Sequence, residues 1–193
     1  MAIADRWSFP MHNRSALLLA SILAMGAAPA TAFELTSPDI KDGAPLGERH
    51  VFAGFGCTGE NLSPALAWKD APAGTRSFAV TAYDPDAPTG SGWWHWIVFN
   101  LPAATLRLSA GAGNPDTGLL PAGALQSRTD FGTPGYGGAC PPVGDTPHRY
   151  VFTVHALKTD SLPLDANASG AMVGFLLNAN RLEKATLTAR YGR

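Results

Sequence analysis

Three β-rich runs in this chain each begin or end on a carboxylate or an imidazole set among prolines or glycines. Ser77–Tyr83 alternates, with Phe78, Val80 and Ala82 on one face, and passes into Asp84-Pro85-Asp86-Ala87-Pro88. Trp93-Trp94-His95 leads into the continuous apolar stretch Trp96-Ile97-Val98-Phe99. Pro141-Pro142-Val143-Gly144-Asp145-Thr146-Pro147 leads into His148 and the strong strand Arg149–Leu157. Alternation with a period of two marks a half-covered strand, and an unbroken apolar run marks a strand buried on both faces. Proline lacks the N–H that a ladder needs, so each run stops at its prolines. Lys184–Tyr191 alternates again and reads as a last strand. One helix is predicted before it, capped by Ser169 or Asn167, with Ala171, Met172, Phe175, Leu176 and Ala179 as its apolar stripe. Phe175 is expected to pack that helix onto a sheet. These patterns predict a mainly β fold, an antiparallel β-sandwich with a peripheral helix near the C-terminus.

Residues 1–32 read as a secretory signal peptide. Arg6 and Arg14 supply a positive start, Ala16–Ala24 an uncharged core too short to span a bilayer, and Ala30-Thr31-Ala32 a small-x-small cleavage site. Residues 33–193 are then one domain, exported to a periplasm or secreted. No later stretch is long and apolar enough for a membrane span. Loss of the leader takes the 14 basic and 15 acidic residues of the whole chain to 12 and 14. A net charge of −2 with no basic stripe argues against nucleic acid, whose phosphates must be neutralised. The 21 glycines and 16 prolines point to tight turns rather than disorder, because large apolar residues remain plentiful. Cys57 and Cys140 lie in Gly-rich loops. An even count in an exported protein suggests a disulfide, worth about 4–5 kcal/mol for so long a loop, with free thiols or a metal site as the alternatives.

Residues two apart on a strand share a face, so His148 and Tyr150 project together and Arg149 projects the other way. Asp84 sits at a strand mouth. Pro85 and Pro88 stiffen the turn that carries Asp84 and Asp86, and Ala87-Pro88 is a candidate cis peptide. Asp84, His95, His148 and Tyr150 can thus meet in a small pocket walled by Trp and Pro, suited to a small oxyanion. Taken singly, each has a bland alternative: a histidine beside tryptophans is often a satisfied core residue, and Trp93, Trp94 and Trp96 read mostly as packing. His155 falls on the face opposite His148 and reads as structural.

In that order and spacing, Asp84-Pro85-Asp86-Ala87-Pro88, Trp93…His95, and Pro141-Pro142 followed by His148-Arg149-Tyr150 resemble the phosphatidylethanolamine-binding protein family, in its bacterial Raf-kinase-inhibitor-like branch. Asn61–Trp68 and Ser169–Phe175 support the resemblance, which runs from about Phe33 to Arg190. It implies a sandwich of two antiparallel sheets with an anion pocket at one end. Carried over by motif, the ligand-binding residues are Asp84, His95, His148 and Tyr150, with Asp86 and Pro88 shaping the loop. Members from higher organisms often show adjacent histidines where this chain has Trp94-His95, so one imidazole is expected there.

Three function classes follow. The first is a small-anion binding module, regulatory or inhibitory and without turnover, taking a phosphate or carboxylate group. The second is an extracytoplasmic inhibitor of a protease or other protein, acting through surface loops. The third is a hydrolase built on the Asp/His pocket, although the chain has no Gly-x-Ser-x-Gly and no His-Glu-x-x-His. The first is the expectation, with no cofactor and no metal. A protein partner and a homodimer are left open.

Overall fold

A computed structural model describes residues 31–193; the expected signal peptide lies almost wholly outside the described residues. The strands are β1 (Glu34–Thr36), β2 (Ala53–Gly54), β3 (Cys57–Thr58), β4 (Leu66–Lys69), β5 (Ser77–Asp84), β6 (Trp93–Pro102), β7 (Arg107–Leu108), β8 (Leu125–Gln126) and β9 (His148–Leu157). Helix α1 (Gly170–Asn180) then runs straight into β10 (Arg181–Tyr191). A five-stranded sheet has the order β10-β9-β5-β6-β8, a three-stranded sheet the order β1-β4-β7, and β2 and β3 form a small ribbon. Every pairing within these sheets is antiparallel.

The alternation of β5 decides which side chains enter the core. Phe78, Val80 and Ala82 face the small sheet, where they meet Leu35, Leu66 and Trp68 together with Trp96, Val98, Phe152 and Val154. Ala79 faces the other way, into a second cluster with Ile97, Phe99 and Leu157 beneath Val173 and Leu177 of α1. Trp96, Ile97, Val98 and Phe99 are therefore all fully buried, two on each face of the central sheet. Each large side chain so placed contributes roughly 1.5–3 kcal/mol of burial free energy.

Two expectations are corrected. Phe175 does not pack α1 onto the sheet: it is 69% exposed, and Ala171, Met172 and Ala179 are exposed with it. The buried stripe is Gly170, Val173 and Leu177. The helix is apolar on every side and carries no charged residue, so its sequence could not select a phase. Contact selects it instead, because a side chain at Gly170 would collide with the Trp94 indole. Ser169 caps the helix as expected, its Oγ accepting from Met172 N at 3.2 Å. The second correction concerns Ala87-Pro88, which is trans like every other described peptide bond. The chain turns here without a cis bond because the Asp84 carboxylate gathers two following amides, and Gly90 and Gly92 take left-handed conformations.

Candidate anion site

Three neighbouring strands, β9-β5-β6, bring their mouths together at one end of the large sheet. Asp84 closes β5, His148 opens β9, and Trp93 opens β6 opposite Asp84. Tyr150 shares the face of His148, as the period of two requires. His95 owes its place to an irregularity. Trp94 pairs with Tyr83 and Trp96 with Ala82, so His95 is an extra residue between them, a β-bulge. The bulge lets His95 face the cavity while Trp96, its neighbour in sequence, still faces the core.

Asp84, Pro88, His95, His148 and Tyr150 all line one cavity of about 160 Å³. That is room for about five water molecules, or for a phosphate-sized group, and less than a drug-sized ligand needs. Phe55, Trp93, Phe131, Pro141 and Pro142 supply apolar walls. Asp86 lies elsewhere. Its carboxylate accepts from the Arg149 amide and from Nε, both at 2.9 Å, and from Nη2 at 2.6 Å. These bonds to the Arg149 guanidinium are the main cause that holds its carboxyl at about 2. Asp86 thus shapes the loop from outside, and Arg149 projects off the far face as the alternation requires.

The polar groups inside are arranged with few alternatives. Asp84 Oδ1 accepts from the amides of Asp86 at 2.8 Å and Ala87 at 3.1 Å, and Oδ2 accepts from His148 Nδ1 at 2.7 Å. A carboxylate only accepts, so His148 Nδ1 carries the proton of this bond. His148 Nε2 lies 3.4 Å from the half-exposed carboxylate of Asp145. His95 Nδ1 donates to the Gly137 carbonyl at 2.7 Å, and burial pushes its pKa down. Its ring meets Tyr150 and Phe131 edge-on, with centroids 5.1 and 5.4 Å apart. Burial, then the charge of Asp84, holds the Tyr150 hydroxyl far above its ordinary pKa, so it stays a donor. That hydroxyl is buried, and no acceptor for its proton lies within hydrogen-bond reach among the described residues.

No lysine or arginine lines the cavity, so within the lining itself the imidazoles are the side chains able to carry positive charge. The Thr89 hydroxyl is spent on the Gly92 carbonyl at 2.6 Å, and Cys140 is joined to Cys57, with Cα atoms 6.0 Å apart. Among the described residues no three His, Cys, Asp or Glu side chains form a group that could hold a metal ion. The walls Phe55 and Phe131 and the carboxylate of Asp145 were not singled out from sequence. Asp145 stands three residues before His148, a spacing that could have pointed to it. The two phenylalanines come from distant loops and left no local signal.

Residues 36–192 match the family model described as phosphatidylethanolamine-binding protein. The chain belongs to this family. This PEBP member is 55% identical to UPF0098 protein YbcL of Escherichia coli (strain K12) over 91% of its own length and 97% of that protein. To UPF0098 protein YbhB of the same strain it is 58% identical, over 82% and 99%. The crystal structure of E. coli YbcL, described as a new member of the mammalian PEBP family, superposes with a TM-score of 0.82. It covers 83% of this chain and 98% of that one, at 57% identity. A relative from Mycobacterium tuberculosis (strain ATCC 25618 / H37Rv), LppC, carries the word lipoprotein in its name; it is 37% identical over 74% of this chain and 65% of its own.

Proposed function

We propose that this PEBP member is an exported protein that binds a small anion, a phosphate or carboxylate group, between Tyr150, His95 and His148, and that it acts by binding rather than by turnover. The observation that carries this reading is the Tyr150 hydroxyl: a buried donor that lines the cavity, is held protonated, and lacks an acceptor. An unsatisfied buried donor costs about 1–3 kcal/mol, which an anion in the cavity would recover. Asp84 does not compete for that anion's donors. Its negative charge is already met by two amides and the His148 ring, so it serves to orient His148. Against turnover, the one lining aliphatic hydroxyl is engaged with a carbonyl, and the one lining sulfur sits in a disulfide. A regulatory or inhibitory role would follow from what the anion belongs to. Export is supported by the leader-like residues 1–32, by the disulfide, which persists in oxidising compartments, and by the name of the mycobacterial relative.

The test is calorimetric titration of inorganic phosphate into wild type, Tyr150→Phe and His148→Ala. Tyr150→Phe removes one oxygen without changing the packing, so affinity should fall about tenfold while the melting temperature holds or rises. His148→Ala should abolish measurable binding. Equal affinity in all three proteins would refute an anion site here.

A further inference from the structure

The outer wall of the cavity is made by two loops far apart in sequence. One is the tip of the β2–β3 ribbon, Gly54-Phe55-Gly56; the other is Pro141-Pro142-Val143. The tip is built against local preference. Phe55 adopts a left-handed φ of 53°, a conformation that costs a residue with a Cβ about 1–2 kcal/mol, and the residue as a whole is 69% exposed. Something beyond local propensity must hold it there. Stacking on Phe52 and Phe131, with centroids 5.4 and 5.9 Å away, is one part. The Cys57–Cys140 bridge is a second, joining the residue after the tip to the residue before Pro141.

Arg193 is a third. Its Nε donates to the Pro141 carbonyl at 2.6 Å and its Nη2 to the Phe55 carbonyl at 3.3 Å, so one guanidinium spans both loops. Its own carbonyl accepts from the Gly144 amide at 3.0 Å, which seats it on the second loop. No carboxylate lies within 4.0 Å of its guanidinium among the described residues. Arg149, another arginine near this end, is paired with Asp86. The Arg193 guanidinium therefore has no carboxylate in contact among the described residues, and it sits directly behind two residues of the cavity wall.

Building on the anion-binding reading, we propose that Arg193 is a positioning residue for the cavity: it clasps the Phe55 and Pro141 carbonyls to fix the outer wall, and it supplies the fixed positive charge that the lining itself lacks. The two roles separate by substitution. Lysine keeps a charge but cannot place a fork of donors on two carbonyls, whereas glutamine removes the charge. The experiment measures phosphate affinity by calorimetry at low and high salt, and amide hydrogen exchange over residues 54–58 and 141–144, in wild type, Arg193→Lys and Arg193→Gln.

Arg193→Gln should bind phosphate about tenfold more weakly and lose part of the salt dependence. Arg193→Lys should lose about threefold in affinity and keep that dependence. Exchange in both loops should quicken about tenfold in both variants, since the clasp is gone from each. Affinities within twofold of one another across the three proteins would overturn the charge role. Unchanged exchange in Arg193→Gln would overturn the clasp. If wild type binds no phosphate, the anion reading itself has failed, and the exchange measurement still decides whether Arg193 fixes the wall.

Discussion

His148 and His155 stand near opposite ends of strand β9, on opposite faces, both more than nine-tenths buried, and the fold treats them in opposite ways. His148 is met by a carboxylate on one ring nitrogen and approached by a second on the other. Among the described residues His155 Nδ1 has no partner, and Thr81 Oγ1 lies 3.3 Å from Nε2. Burial, followed by the charges of Arg181 and Lys184, pushes the His155 pKa down to about 3. His148 lines the cavity described above, and His155 does not. Burial alone therefore does not make a histidine functional. The role proposed for His148 rests instead on the carboxylate that sets its tautomer and the open volume next to it.

Removing the carboxylate should break that contrast most strongly. Asp84→Ala leaves two amides and the His148 ring without their acceptor, and breaking a buried pair of this kind costs about 3–5 kcal/mol. Chemical denaturation should show a loss of that size, with phosphate binding abolished.

The second effect belongs to His155 and is a matter of pH. Its unfolded-state value lies near 6.5 and its folded value near 3, so between these limits the unfolded chain holds a proton that the folded chain lacks. Stability must then fall as pH drops from about 6.5 to about 3, by up to about 4 kcal/mol. His155→Leu should flatten that part of the stability curve and leave stability at pH 8 within about 1 kcal/mol of wild type. A curve of unchanged slope would mean that the ring is not held neutral.

The same distinction between position and residue type holds on α1. Leu177→Ala should cost about 2–4 kcal/mol because it opens a cavity beneath the helix, and Phe175→Ala should stay within about 0.5 kcal/mol. A similarly small effect is expected from Arg149→Ala. Its ion pair with Asp86 is largely exposed, so stability at neutral pH should change by less than about 1 kcal/mol and phosphate affinity by less than about twofold. What that pair does contribute is present above pH 3.8 and lost as pH falls toward about 2.

The strands were legible because their periodicity is local. Phe78 and Val80 against Ala79, and Trp96 and Val98 against Ile97 and Phe99, divide as alternation requires. The phase of α1 was not legible, since Phe175 and Leu177 are equally apolar and only the approach of Gly170 to Trp94 separates them. Within the site, the shared face of His148 and Tyr150 followed from spacing. The inward turn of His95 depends on a bulge that no residue type announces, and the walls Phe55 and Phe131 depend on loop packing across the chain. Asp86 was read as shaping the loop beside Asp84, but what it binds was not legible. Its true partner, Arg149, is a contact between two loop and strand ends that lie far apart in sequence.

Anion binding as proposed for this cavity should be coupled to a proton gained on an imidazole, because no lysine or arginine lines it. Sulfate isolates that step, because its own charge is constant near neutrality. Sulfate should be titrated calorimetrically at pH 8, 7 and 6, in buffers of low and high ionisation enthalpy. The account predicts affinity that strengthens at each step down in pH, by at most about tenfold per unit for one linked proton, with an apparent enthalpy that varies with the buffer. Affinity that is flat across this range, with the same enthalpy in every buffer, would contradict it.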